Sequence, residues 1–309
     1  MNKTAIKNFA IWARVTLIDA VKQKAFEYEI TEDKTPDSSV TSVGGRLLTE
    51  AELRQRGALV DQIRQKGYTQ VMEEVAYTWF NRFIALRYME VNNFLPLKTR
   101  IFSDENDAFN PEILKEAMNI ELDGVDKDVV YDLLEKQDNE KLYKYLLIAQ
   151  CNALGESLPG MFEKIEDYTE LLFPNKLLKA DSVLGKMVTE IPTEDWEDAV
   201  QIIGWMYQYY NAELKDDTFA KLKKNIKISK ERIPAATQLF TPDWIVRYMV
   251  ENSLGRIFIA DSGKWLNENM TEAERAAKEK EVADSFGWKY YLPEAEQTEE
   301  VRKQLITNH

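Results

Sequence analysis

The sequence predicts a mainly α-helical chain, and three observations predict it. Apolar residues recur at the three- and four-residue spacing of one helix face through most of the chain. No apolar–polar alternation runs longer than about five residues, so half-buried strands are not indicated. Two "TEAE" stretches, Thr49 to Glu52 and Thr271 to Glu274, carry the Thr-x-x-Glu pattern of a helix capping box.

The elements follow in order. Residues 4 to about 24 place Ile6, Phe9, Ala10, Ala13, Leu17, Ala20 and Val21 on one stripe. Residues 27–48 hold Pro36, paired serines and Gly44-Gly45, which suit a loop or short hairpin. The first capping box then opens a helix to about residue 65, ended by Gly67. In residues 68–96, Val71, Val75, Trp79, Phe80, Phe83, Ile84 and Leu86 cover most of the helical wheel. Such a helix is central, and its charges Arg82, Arg87 and Glu90 must find partners there. Short helices are expected at "NPEILKEAMN" and "KDVVYDLLEKQ", and a buried one at "EKLYKYLLIAQCNALGE". "PTEDWEDAVQIIGWMYQYYNAEL" reads as one helix with Trp196, Val200, Ile203, Trp205 and Tyr207 as core. Its opening carboxylates, "EDWED", suit the positive end of a helix dipole better than a metal. Residues 257–309 read as polar and helical.

Composition narrows the chemistry. His309 is the only histidine and Cys151 the only cysteine. No Ser-His or Cys-His nucleophile pair forms inside such a fold, and neither a disulfide nor a cysteine-rich zinc cage is available. No signal sequence or membrane span is expected, which suits the cytoplasm. A net charge of −13 argues against a protein that coats nucleic acid over its whole surface, but leaves room for a local basic face. Asp19 with Glu32-x-Lys34 mimics a nuclease pattern, yet a helix and a loop do not offer the adjacent strands that such a metal site needs.

The stretch "ATQLFTPDWIVRYMVENSLGR" is the most informative. Thr241 suits an N-cap, Pro242 the first helical position, Asp243 the first turn and Gly255 a left-handed C-cap. Exposed amides at such a start can take a carboxylate or phosphate, although a well-capped helix need bind nothing.

This stretch resembles motif X of the γ-class adenine-specific DNA methyltransferases, which include the modification subunits of type I restriction systems. The blocks "MNKTAIKNFAIWAR", "EEVAYTWFNRFIALRYMEVN", "PGMFEKIEDYTELLFP" and "IIGWMYQYYN" are similar to the amino-terminal region of the PglX family, the adenine methyltransferases of BREX phage-defence systems. The resemblance implies that Gln238, Leu239, Phe240, Thr241 and Pro242 help hold the methionine end of S-adenosylmethionine. It also implies a fold in which a multi-helix amino-terminal domain (1–230) leads into motif X (231–256), the first element of a Rossmann-like methyltransferase domain not contained in this chain. A polar helical segment (257–309) follows. The family's glycine-rich Asp-Pro-x-x-Gly-Ser-Gly loop and Asn-Pro-Pro-Tyr tetrapeptide are missing: the chain has no adjacent prolines and no Gly-x-Gly after residue 256. The expectation is therefore a piece of a larger enzyme, inactive alone, whose parent methylates adenine N6 in double-stranded DNA and meets other BREX proteins. The competing expectation is a stand-alone helical interaction module.

One basic run precedes motif X. Lys221, Lys223, Lys224, Lys227, Lys230 and Arg232 read either as phosphate contacts to DNA or as a solvated linker face.

Overall fold

The computed structural model describes residues 1–309 apart from 34–36, 38, 163–167, 198, 262–263, 267–268, 294–297, 299 and 301–309. It is mainly helical. Two compact units divide it, Met1–Gln238 and Leu239–His309.

In the first unit, α1 (Lys3–Glu27) buries Ile6, Phe9, Ala10, Ala13, Leu17, Ile18, Val21 and Ala25; of the predicted stripe Ala20 is only half-buried, and Ile18 and Ala25 join it. A hairpin of β1 (Ser42–Val43) and β2 (Arg46–Leu47) follows. Gly44 and Gly45 both have positive φ, 55° and 79°, as a primed two-residue turn requires. α2 (Glu50–Lys66) starts with the complete capping box of Thr49 and Glu52 and stops at Gly67, whose φ is 90°.

α3 (Tyr68–Val91) is the centre of the unit. All seven apolar residues expected to be buried are buried. Trp79 stacks on Phe83, meets Phe173 edge-on at 4.6 Å and donates its indole N–H to the Thr169 carbonyl. Arg87 and Glu90 form a fully buried pair at 2.5 Å. Glu90 also accepts the backbone N–H groups of Ile101 and Phe102, so the pair fixes the loop after α3.

Two short helices, α4 (Glu112–Lys115) and α5 (Lys127–Glu135), lead to α6 (Asn139–Leu154), which is capped by Asp138. α4 and α5 both pack on α6, and α7 (Tyr168–Leu171) packs on α2. α8 (Val183–Glu190), capped by Ser182, was not expected from the sequence as a separate element.

The segment expected to form one helix over 192–214 is broken. A 3-10 turn spans Thr193–Asp195, followed by α9 (Gln201–Tyr210) and α10 (Ala212–Leu222). α9 packs against α1 and α3. Its buried residues are Ile202, Trp205, Met206 and Tyr210, whereas Val200 and Tyr207 are exposed. The aromatic-rich stretch offers apolar side chains all round the wheel, so packing partners rather than periodicity chose the buried side. Asp195 does not answer a helix dipole either. It pairs with the Met1 ammonium at 2.8 Å and accepts the Asn2 N–H, while Asp198 lies outside the described residues. The unit closes with α11 (Ile233–Thr237), packed on α10.

The second unit contains α12 (Asp243–Glu251), α13 (Leu254–Asp261) and α14 (Glu272–Ser285). Thr271 and Glu274 complete the second capping box. A small core of Ile259, Val282, Ala283 and Tyr291 is flanked by Trp265, Leu266 and Trp288. Among the described residues no helix is long and apolar enough to cross a membrane.

Candidate functional site

The boundary between the two units falls inside the 238–242 segment. Gln238 belongs to the first unit and caps the C-terminal end of α11, its N–H donating to the Pro234 carbonyl at 2.9 Å. Its side-chain oxygen accepts from Asn211 at 2.9 Å, and its carbonyl accepts from Lys215 at 3.0 Å. The side-chain NH₂ of Gln238 is buried and finds no acceptor among the described residues. A buried unmet donor costs free energy, and it is the kind of group that a ligand or partner carbonyl satisfies.

In the second unit, Leu239 is 72% exposed, Phe240 and Pro242 are half-buried and Thr241 is exposed. The expected cap is displaced by one residue. Pro242, not Thr241, holds the N-cap position, its carbonyl accepting from Ile245 and Val246. No side-chain hydrogen bond caps the helix, so the Thr241 hydroxyl does not perform that role. Asp243 sits in the first turn and pairs with Arg247 at 2.7 Å, which keeps its charge beside the helix start.

Gly255 is corrected as well. It is not a left-handed cap but lies within α13, under the Trp288 ring. α12 ends instead at Asn252, whose side chain accepts the Leu292 N–H and donates to the Tyr290 carbonyl. Glu251 is buried and accepts the Tyr290 N–H at 2.6 Å.

α12 is therefore inside out for a free-standing unit. Its buried residue is a carboxylate, while Trp244, Val246, Tyr248, Met249 and Val250 are exposed. Leu254, Ile257 and Phe258 of α13 are exposed too. Apolar surface on this scale marks a place where further protein or ligand belongs. Tyr248 and Met249, one residue apart on α12, are 44% and 60% exposed.

The basic run begins at the end of α10 with Lys221 and reaches the start of α11. Lys221 pairs with Asp217 at 2.9 Å, and Arg232 pairs with the same carboxylate. Their hydrogen bonds, Lys221 first, hold the Asp217 carboxyl below its usual range. Lys223, Lys224, Lys227 and Lys230 are exposed, with no ion-pair partner among the described residues. Two of the six cations are thus tied to the fold and four stand in solvent. α10 anchors both features, through Asp217 to the basic run and through Lys215 to Gln238.

The remaining candidates separate. Asp19 is exposed on α1, Glu32 accepts the Thr69 hydroxyl at 2.8 Å, and Lys34 lies outside the described residues. Among the described residues no cluster of three or more His, Cys, Asp or Glu can hold a metal ion. Burial pushes the Cys151 thiol up to about 12, so it is inert as a nucleophile near neutral pH.

The sequence matches no family model. An adenine-specific methyltransferase PglX from Lacticaseibacillus casei (strain Zhang) is 39% identical over 327 aligned positions, covering 97% of this chain and 26% of that protein. An adenine-specific methyltransferase BrxX from Escherichia coli O9:H4 (strain HS) is 37% identical over 317 positions, covering 99% of this chain and 24% of that protein. The chain spans about a quarter of the length of these curated relatives. The resemblance read from the sequence blocks holds along essentially the whole chain.

Proposed function

We propose that this PglX-like chain works as part of an adenine-N6 DNA methyltransferase of a BREX phage-defence system, carrying motif X beside the catalytic core. The observation that carries this reading is the uncovered apolar face of α12 and α13. A helix flanking a methyltransferase sheet needs such a face, and a self-sufficient unit does not. The core's glycine-rich loop and Asn-Pro-Pro-Tyr tetrapeptide do not occur in the 309 residues, so the chain alone transfers no methyl group.

Residues 238–242 would hold the methionine end of S-adenosylmethionine, which supplies the methyl group when bound. The fit rests on two groups. In the second unit, α12 presents the amides of a helix start, which suit a carboxylate; in the first unit, taken by itself, Gln238 has a buried NH₂ without an acceptor among the described residues. Neither group is a base or a nucleophile; both bind and orient. The exposed lysines of the 221–232 run would lie along DNA phosphates, positioning the duplex without reading its sequence. The target adenine has to leave the base stack to be methylated.

Two measurements test this. The 309-residue chain should form no N6-methyladenine on unmethylated DNA with S-adenosylmethionine; any such product overturns the claim that it lacks the catalytic parts. In the complete methyltransferase, Gln238→Ala should weaken S-adenosylmethionine binding about tenfold, the loss of roughly one buried hydrogen bond. Unchanged affinity would remove Gln238 from the cofactor site.

A second reading draws on the same apolar face. A helical interaction module would use α12 and α13 to bind a protein partner. In the complete enzyme, Met249→Asp separates the two. Loss of methylation with the other defence proteins absent supports the catalytic core as the occupant. Full methylation with lost partner capture supports the module.

A further inference from the structure

The first unit holds a cavity of about 960 Å³ that the methyl-transfer reading does not use. It lies between the end of α1, the start of α2, one face of α6 and the loop after α7. Its size suits a small-molecule site, which is commonly apolar-walled with a few fixed polar groups. Tyr28, Tyr145 and Phe173 supply rings, and Ile148 and Ala149 supply an apolar surface from α6.

Lys144, on the wall of this cavity, has no ion-pair partner among the described residues. Its ammonium donates to the Glu170 backbone carbonyl at 3.1 Å and lies 5.6 Å from the centre of the Phe173 ring, and both partners are neutral. Burial lowers its pKa, against the opposing pull of the Glu170 carboxylate. The four carboxylates of the cavity wall each have another partner, Glu140 accepting the Leu178 N–H at 3.4 Å. Glu52 makes two 2.8 Å bonds to Arg46, Asp138 pairs with Lys141 at 2.7 Å, and Glu170 accepts from Gln55 at 2.9 Å. A partly buried ammonium without a carboxylate at ion-pair distance gains most from an anion that arrives with a ligand.

We propose that this cavity binds a nucleoside monophosphate, its anionic group paired with Lys144 and its flat base packed among Tyr28, Tyr145 and Phe173. Its lining includes none of residues 238–242, and the proposal does not depend on the methyltransferase reading.

Calorimetry on the 309-residue chain tests it, with adenosine 5′-monophosphate as the probe and adenosine and inorganic phosphate as half-ligands. The monophosphate should bind at least about tenfold tighter than either half, because ring and anion contribute together. Lys144→Met, which keeps the aliphatic stem, should weaken the monophosphate about tenfold or more, whereas Lys144→Arg should retain it. Phe173→Leu should weaken the monophosphate and adenosine but not phosphate. Three results would each overturn the proposal: no binding at millimolar monophosphate, phosphate binding as tightly as the monophosphate, or unchanged affinity in a folded Lys144→Met.

Discussion

A Cβ built on Gly255 would lie 2.8 Å from the Trp288 ring, closer than side-chain carbons approach in folded proteins. Trp288 also stacks on Phe286 and borders the small core of the second unit. Gly255 is therefore a packing glycine. Gly255→Ala should destabilise this unit by about 1–3 kcal/mol through overpacking. Adding Trp288→Leu should recover part of that loss, with a coupling of at least about 0.5 kcal/mol. Urea unfolding of the two single variants and the double variant gives the cycle. Strictly additive losses would mean that the ring is not what the added methyl group strikes.

The Arg87–Glu90 pair lies at the other extreme of burial. Neither side chain is exposed, and Glu90 gives one oxygen to Arg87 and Ser103 and the other to two backbone N–H groups. Glu90→Gln keeps the shape but strands the guanidinium, so it should cost about 3–5 kcal/mol. Ser103→Ala removes one neutral partner and should cost about 1 kcal/mol. Denaturant midpoints check both. Equal losses would show that the charge on Glu90 contributes little.

Acid sensitivity should centre on Glu52. The Arg46 guanidinium, helped by the Thr49 N–H and the Tyr28 hydroxyl, holds its pKa down at about 2 against an ordinary 4.5. A carboxyl whose pKa falls on folding contributes stability above its unfolded value and loses it as pH drops through the folded value. The contribution is thus complete above pH 4.5 and fades between 4.5 and about 2. Tyr28 sets an alkaline limit in the opposite sense: burial, then Glu52, raises it to about 12 from 10.0, so its contribution is complete below 10 and fades toward 12. Urea unfolding across pH should show a flatter acid limb in Glu52→Gln and a flatter alkaline limb in Tyr28→Phe. Unchanged limbs would place the sensitivity elsewhere.

What the sequence made legible was local. Both capping boxes and the Gly44-Gly45 turn depend on neighbouring residues, and each formed where expected. The buried charges on α3 were readable too, because Arg87 and Glu90 stand one turn apart. Reading failed where several answers were locally equal. Val200 and Tyr207 had the same claim to burial as Ile202 and Tyr210, and the docking of α1 and α3 decided between them. The segment 238–242 was visible through resemblance to a known motif. The unmet donor on Gln238 and the uncovered face of α12 required coordinates, since no pattern of residue types records what is missing from a surface. The cavity beside Lys144 was invisible for a related reason: its lining is drawn from separate helices and loops of the first unit.

The basic run offers a prediction in which charge outweighs identity. Four of its lysines are exposed and unpaired among the described residues, while Lys221 and Arg232 share the single Asp217 carboxylate. Each lysine that displaces a counterion from a duplex steepens the salt dependence of binding by about 0.9 in log–log slope. Replacing Lys223, Lys224, Lys227 and Lys230 by alanine in the complete methyltransferase should therefore flatten that slope by roughly 3–4, equally for target and unrelated duplexes. Replacing Lys221 and Arg232 should change the slope less, because Asp217 already offsets one of their two charges, and should instead loosen the junction of α10 with α11. Fluorescence anisotropy over a salt series separates these outcomes. An unchanged slope in the fourfold variant would make the run a solvated connector and leave DNA contact to another surface.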